Sequence, residues 1–169
     1  MSPTVGPMAE SLSRRAQDVV VACCDGHVND PPVALTKQDF EALAAFRFAI
    51  RCYLRFSEDT VRAHGISPQQ YQLMLALAGF PGREWATVKE LAERLQLKHH
   101  SVVELVNRAQ QQDLVARTAD PDDARVVRVV LTAAGKRALG LLSALHRDEL
   151  QRMGSALTPP PWPEKDKSA

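Results

Sequence analysis

The sequence is poor in aromatic residues and cysteine, and it carries almost no excess charge. Aromatic side chains make up 5% of its 169 residues, so the core must consist mainly of Leu, Val and Ala. Three cysteines are too few for a disulfide framework, and their odd number predicts reduced thiols in the cytoplasm. A net charge of +1 does not by itself indicate a nucleic-acid-binding protein, although binding depends on where the charges lie.

Long hydrophobic runs and enzyme motifs are also missing. No apolar run approaches the roughly 20 residues that span a membrane, and the N-terminus lacks the pattern of a secretion signal. There is no nucleophile elbow, phosphate-binding loop or dinucleotide-binding glycine motif. The adjacent His99 and His100 cannot both reach one ion from a helix, and the cluster Asp120–Asp123 lacks the Gly and Glu of a calcium loop. We therefore predict a protein that is not an enzyme and holds no metal or cofactor.

Residues 87–132 contain the most regular pattern, which predicts two short helices followed by two β-rich runs. The capping-box pair Thr87 and Glu90 marks the start of the first helix, and residues 96–98 separate it from the second. The runs 114–118 and 125–131 flank a turn-forming segment. Apolar residues at helical spacing predict the core-facing sides of the two helices: Val88, Leu91, Ala92 and Leu95, then Val102, Leu105, Val106 and Ala109. Together these elements predict a winged helix-turn-helix.

Two long amphipathic helices are predicted on either side of this unit, over residues 36–64 and 133–153. A shorter helix is predicted from Ser67 to near Gly79. The apolar faces of the long helices exceed what one small lobe can bury, so we predict that they pair with a second copy of the chain. In the first long helix Cys52 is predicted to be a buried structural thiol, and in the last one His146 is predicted to be a hydrogen-bonded interface residue rather than a metal ligand.

The predicted fold is therefore mainly α with a small β wing. One domain spans residues 36–153, with a winged helix-turn-helix core at 67–132 between the two dimerisation helices. Residues 1–35 form an N-terminal extension that is partly disordered or contains one short helix near residues 12–24. Residues 154–169 are predicted to be a disordered Pro-rich tail.

Several short motifs, taken in their order, resemble the MarR family of transcriptional regulators. They are ELAERL at 90–95, LVNR at 105–108, DLVAR at 113–117, DPDDAR at 120–125, and Leu131-Thr132 followed by Gly135. The resemblance covers roughly residues 40–153. It implies a homodimeric repressor that binds a pseudo-palindromic operator in double-stranded DNA and is released by a small-molecule or stress signal. Lys98 stands where the family usually has Ser or a similar cap, so the operator sequence is not transferable from any relative.

The second helix of the motif offers polar side chains on the side opposite its apolar stripe. A helix of about a dozen residues fits the major groove, where each base pair presents a distinct pattern of donors and acceptors. We expect Arg125 at the wing tip to enter the minor groove, with Asp123 fixing its guanidinium. Arg117 and Arg128 on the wing strands are predicted phosphate contacts. The helix candidates are Lys98, His99, His100, Ser101, Glu104, Asn107 and Arg108.

The resemblance also implies an effector pocket between the dimerisation helices and the winged lobe. The ligand is expected to be a small aromatic or anionic molecule, which Arg55 or His64 would meet. The apolar wall would come from Tyr53, Phe56, Tyr71, Met74 and Leu75, although these five residues are equally consistent with plain core.

Two alternative functions remain open from the sequence. The near-zero net charge is compatible with a winged-helix module that binds another protein and no DNA. A thiol-based redox-sensing regulator would use Cys23, Cys24 or Cys52.

Overall fold

The computed structural model describes residues 34–121, 123 and 125–161. In chain order these residues form α1 (Lys37–Ala63), α2 (Pro68–Ala78), β1 (Trp85–Ala86), α3 (Val88–Leu95), α4 (His99–Gln111), β2 (Val115–Ala119), β3 (Val127–Leu131), α5 (Ala133–Met153) and η1 (Gly154–Leu157). The mainly helical fold with a small β wing is as predicted. The helix predicted near residues 12–24 lies outside the described residues. Residues 154–157, predicted to begin a disordered tail, instead form the 3-10 turn η1.

Hydroxyl side chains begin four of the five described α-helices. Thr36, Ser67 and Thr87 each form a complete capping box, and Thr132 accepts a hydrogen bond in the first turn of α5. Each cap satisfies an amide that the helix itself leaves unpaired, which explains why the helix starts were predictable. The exception is α4, whose N-cap residue Lys98 provides no side-chain cap.

The strands form one antiparallel sheet in the order β1-β3-β2, so β3 is central. Val115 pairs with Leu131 and Ala119 with Val127, which makes β2 and β3 the hairpin of the wing. Both strands begin slightly later than the predicted runs. The Leu114 amide donates to the Ala109 carbonyl oxygen in α4 (2.9 Å), and the Val126 amide donates to the Asp123 carbonyl oxygen at the wing tip (2.9 Å). Both residues therefore belong to turns.

The core of the winged lobe forms where α2, α3 and α4 pack on the sheet. The predicted apolar stripe of α4 is confirmed, because all four of its residues are almost fully buried. Gly135 lets the start of α5 approach this lobe, since a Cβ there would lie 2.0 Å from the Leu114 carbonyl oxygen. The Thr132 amide also donates to that oxygen (3.2 Å), which joins α5 directly to the turn between α4 and β2.

His146 links α5 to α1 inside the protein. Its Nδ1 donates to the Leu142 carbonyl oxygen (2.6 Å), and its Nε2 lies 2.7 Å from the hydroxyl oxygen of Ser57. Its ring stacks on Tyr71 with centroids 4.5 Å apart. The predicted hydrogen-bonded histidine is therefore confirmed, but its partners lie within one chain.

The prediction of a buried Cys52 is wrong, because this residue is exposed. The buried positions of α1 are Ala49, Ser57 and Val61, which recur at intervals of four or eight residues along one face. Cys52 lies beside that face and not on it. Leu54, on another side of α1, is also exposed.

Candidate nucleic-acid interface

The second helix of the helix-turn-helix, α4, is called the recognition helix below. It follows α3 after a short turn in which Gln96 adopts a left-handed backbone conformation with φ 53°. This turn directs the apolar stripe of α4 into the lobe and its opposite side towards solvent. Ser101 and Asn107 are half-buried at the edge of that outer side. The other helix candidates from the sequence are exposed: Lys98, His99, His100, Glu104 and Arg108.

The N-terminal end of α4 is suited to an anion. Among the described residues, no side chain caps this helix, so its first-turn amides keep their donor capacity. Aligned peptide dipoles add partial positive charge at the same end. Lys98, His99 and His100 place further positive or donor groups there. The end of α4 therefore combines donors for base edges with donors for phosphate oxygens.

The wing tip presents one arginine in a fixed orientation. Asp123 accepts hydrogen bonds from the Arg125 amide (3.0 Å) and from its Nε (3.2 Å), as predicted. The Asp123 amide in turn donates to a carboxylate oxygen of Asp120 (3.2 Å). The side chain of Arg125 is 92% exposed, so its guanidinium projects from the tip while one edge is held by a carboxylate.

The other two wing arginines have partners within the protein. Arg117 donates to the side-chain oxygens of Gln110 (2.7 Å) and Asn107 (2.8 Å), which braces β2 against α4. Arg128 donates from Nε to Asp120 (2.5 Å), and its side chain is only 21% exposed. Two helix amides and a cross-strand carboxylate thus orient these guanidiniums, and both residues stay predicted phosphate contacts.

Comparison with known proteins identifies the same part of the chain. A sequence model of the MarR family matches residues 64–126, which cover α2, the helix-turn-helix and the first part of the wing. This stretch carries the sequence pattern of the MarR family. The MarR match ends at the wing tip, so the family signal coincides with the described helix-turn-helix and wing.

Two curated MarR-type relatives come from Bacillus subtilis (strain 168). The HTH-type transcriptional regulator YsmB is 31% identical over 85 residues, which cover 47% of this chain and 58% of YsmB. The HTH-type transcriptional repressor MdtR is 31% identical over 77 residues, which cover 46% of this chain and 48% of MdtR. The chain thus spans about half the length of the curated relatives it matches.

Solved structures share the fold over a longer span. AbsC, a MarR family regulator from Streptomyces coelicolor, has a TM-score of 0.61 at 19% identity, over 76% of this chain and 86% of AbsC. A mutant of MepR from Staphylococcus aureus, bound to an oligodeoxyribonucleotide, has a TM-score of 0.56 at 19% identity, over 72% of this chain and 84% of MepR. At these identities the likeness shows the winged-helix fold.

The seven residues of the predicted effector pocket do not come together in one cavity. Tyr71 and Met74 are core residues, whereas Arg55, His64 and Leu75 are exposed. Tyr53 and Phe56 contact the edge of the His146 ring. Burial, and to a lesser degree the nearby Tyr71, raise the pKa of Tyr53, so its phenol stays neutral. None of the seven lines any of four cavities found in the described part of the chain.

A cavity of about 420 Å³ does lie between α1 and the winged lobe. It is in the predicted place but has a different lining. The sequence did not reveal it, because no local pattern shows that the turn after α3 faces α1. The lining residues are Leu54, Ser57, Glu58, Pro68, Gln69, Gln72, Arg94, Leu95, Gln96, Leu97 and Leu105.

Two residues that hold the wing were not singled out as functional from the sequence. Asp120 was assigned only to a turn, yet it accepts hydrogen bonds from both Arg128 and Asp123. The second is Trp85, because Arg128 lies over its ring. The clue available in the sequence was an aspartate eight positions before an arginine across a hairpin.

Within the described residues, no three His, Cys, Asp or Glu side chains form a metal-binding group, and no helix is long and apolar enough to cross a membrane.

Proposed function

We propose that the protein is a sequence-specific DNA-binding transcriptional regulator that acts as a homodimer and represses its target. The observation that carries this proposal is the wing tip, where a 92% exposed arginine is held by Asp123 and contacts no part of the core. An exposed guanidinium gains little for folding, whereas it is well suited to a narrow minor groove. The uncapped, donor-rich end of α4 supplies a second contact, to the adjacent major groove.

Repression is supported by one relative, because MdtR is a transcriptional repressor. Binding to DNA is supported by the MepR mutant, which was solved with an oligodeoxyribonucleotide. A dimer of winged lobes would read two half-sites about one helical turn apart, roughly 34–36 Å. The operator is then expected to be a pseudo-palindrome.

The decisive experiment is selection of bound duplexes from a random pool, followed by titration of the selected site at several salt concentrations. Phosphate neutralisation predicts that affinity falls steeply as salt rises. Arg125→Ala should weaken binding by about 1–3 kcal/mol without unfolding the protein. Arg147→Ala is the matched control, because Arg147 is also exposed and pairs with an adjacent aspartate, but lies on α5. Equal affinity of the two variants would remove the wing from the mechanism, and failure to select any site would favour a protein-binding module.

The homodimer is supported by large apolar side chains that one chain leaves in solvent. Phe40 and Phe48 on α1 and Leu141 and Leu150 on α5 are each at least 42% exposed. Such residues on two adjacent long helices are expected to be covered by a partner. Sedimentation at micromolar concentration should show a dimer, and Phe48→Glu should shift it towards monomer. A monodisperse folded monomer of the unmodified chain would contradict this part of the proposal.

Release from DNA is assigned to the 420 Å³ cavity between α1 and the lobe. A ligand held there would favour one spacing of the two lobes, and a coupling of ~1–3 kcal/mol would weaken DNA binding about 5–150-fold. Aromatic acids and bases should be titrated against the preformed DNA complex, then against the cavity variants Leu54→Ala and Gln72→Ala. Arg55→Ala is the control, because Arg55 is adjacent to Leu54 in the chain but does not line this cavity.

A redox signal is the second candidate, and the exposure of Cys52 favours testing it. Cys23 and Cys24 lie outside the described residues. Mild peroxide should then release DNA from the unmodified protein but not from Cys52→Ser. Release from both proteins to the same extent would exclude Cys52 as the sensor.

A further inference from the structure

A continuous chain of cation–aromatic contacts runs beside the sheet. Arg83 lies between two rings, with its guanidinium carbon 4.3 Å from the centroid of Phe80 and 3.8 Å from that of Trp85. Arg128 covers Trp85 at 4.0 Å, and Arg94 approaches Phe80 at 4.9 Å. We call these five residues the arginine–aromatic stack. The sequence shows no sign of it, because its members come from three separate segments of the chain.

The stack ends at the wing tip. Arg128 donates from Nε to one carboxylate oxygen of Asp120 (2.5 Å), and the other oxygen of Asp120 accepts from the Asp123 amide (3.2 Å). Asp123 holds Arg125 through the bonds described above. Trp85 is therefore linked to the exposed arginine by four consecutive contacts, none of which involves the bulk of the hydrophobic core.

The lower end of the stack is fixed to the helix-turn-helix. Arg83 forms an ion pair with Glu90, and Glu90 also accepts from the backbone amide and the hydroxyl of Thr87 to complete the cap of α3. The Nε of Arg83 is buried and has no hydrogen-bond partner among the described residues. The faces of the Phe80 and Trp85 rings therefore stabilise the buried part of this guanidinium. The position of Trp85 is thus set by the helix that precedes the recognition helix.

Partial burial strengthens the contacts that involve the wing. The side chains of Arg128 and Asp120 are only 21% and 10% exposed, so water screens their interactions weakly. A hairpin of two five-residue strands is marginal in water unless something packs against it. Arg128 lies between the Trp85 ring and the Asp120 carboxylate, and it supplies that packing at the end of the hairpin next to the tip.

We propose that Trp85 is a positioning residue for DNA binding, which holds the wing tip in order through Arg128 and Asp120 so that Arg125 is presented to the minor groove. This inference rests on the proposed DNA-binding function. Only the fraction of molecules with an ordered wing binds with full affinity, so loss of order lowers the measured affinity by the same factor. Trp85 need not touch DNA to have this effect.

The test is a double-mutant cycle on the selected DNA site, with Trp85→Leu, Arg125→Ala and the combination of the two. Trp85→Leu should reduce affinity about three- to tenfold, a smaller loss than that of Arg125→Ala. In the Arg125→Ala background, Trp85→Leu should have almost no further effect, because both changes remove the same contact. Additive losses in the double variant would overturn the proposal, since they would mean that Trp85 acts independently of the wing arginine.

A measurement on the free protein separates this inference from DNA binding itself. Amide exchange of Asp120 and Val126, which are hydrogen-bonded at the tip, should be faster in Trp85→Leu by about the factor lost in affinity. Trp85→Phe keeps an aromatic ring between the two arginines and should restore most of both quantities. If Trp85→Leu does not fold, Arg128→Met tests the same link from the other side of the ring.

The outcomes distinguish the DNA-binding role of the wing from the positioning role of Trp85. Normal affinity of Arg125→Ala would refute the role of the wing in the proposed function, whatever the exchange rates show. A loss for Arg125→Ala together with unchanged exchange and affinity in Trp85→Leu would refute the inference alone. Equal losses in Trp85→Phe and Trp85→Leu would show that the ring face is not what matters, and would also overturn it.

Discussion

Substituting alanine at two glycines of α5 should change stability in opposite directions. A Cβ at Gly135 would lie 2.0 Å from the carbonyl oxygen, 2.9 Å from the carbonyl carbon and 3.2 Å from the Cα of Leu114. These are backbone atoms, so no side chain can rotate away. A Cβ at Gly140, five residues later in the same helix, meets nothing within 4 Å. Neither glycine has a positive φ, so the contrast depends on space alone.

The magnitude follows from what the start of α5 must give up. To relieve the contact, the helix has to retreat by about 1 Å, and overpacking of this kind typically costs ~1–3 kcal/mol. The same movement stretches the hydrogen bond from the Thr132 amide to the Leu114 carbonyl, which contributes about 0.5–1.5 kcal/mol. We expect Gly135→Ala to destabilise the protein by about 2–4 kcal/mol. Gly140→Ala should stabilise it by roughly 0.5–1 kcal/mol, because alanine loses less backbone entropy in a helix.

Urea unfolding of the three proteins at one fixed concentration measures both effects. The midpoint of Gly135→Ala should fall by about 1–2 M, and that of Gly140→Ala should rise by a few tenths of a molar, at an unchanged slope. A Gly135→Ala protein within about 0.5 kcal/mol of the original would refute the argument, because it would mean that α5 and the lobe are not held in close contact there.

Three further results are expected. Ser57→Ala should destabilise the protein by about 1–3 kcal/mol in thermal melts, because it leaves the buried Nε2 of His146 without its partner. The comparison is Ser143→Ala, which removes the hydroxyl of another serine, half-buried on α5. Burial raises the pKa of Glu90, but the bonds from Thr87 and Arg83 outweigh it and lower the pKa overall. The stability advantage over Glu90→Gln should therefore be complete at pH 6 and decline in melts below about pH 4.3, whereas a constant difference would contradict the shift. Cys52 should react with a thiol reagent in the native protein, and protection until unfolding would contradict its exposure.

Local signals account for what the sequence predicted correctly. The capping pair Thr87–Glu90 acts within four residues, so it is visible in the sequence and appears in the structure. The buried side of α4 was also predictable, because a small lobe can bury only one face of a short helix. The contact between Asp123 and Arg125 spans two residues and belongs to the same class.

The errors concern contacts between distant segments. Arg128 meets Trp85 and Asp120 only because β3 lies between β1 and β2, and the order of strands is not written in any local pattern. Periodicity also could not determine which parts of the 27-residue α1 are covered, so Cys52 was wrongly placed inside. Tyr71 was proposed as a cavity wall, but the stacked His146 from α5 fills the space beside it.

The junction between Thr132 and Leu114 has a mechanical consequence. Because α5 is in backbone contact with the turn between α4 and β2, the winged lobe should turn with this helix as one rigid body. Its 21 residues make α5 about 31 Å long at 1.5 Å per residue. A rotation of about 5° around the far end would then move the lobe by roughly 3 Å, close to the ~3.4 Å rise of one base pair. Small changes in how the α5 helices of two chains cross would therefore be enough to move a wing and a recognition helix from one base step to the next.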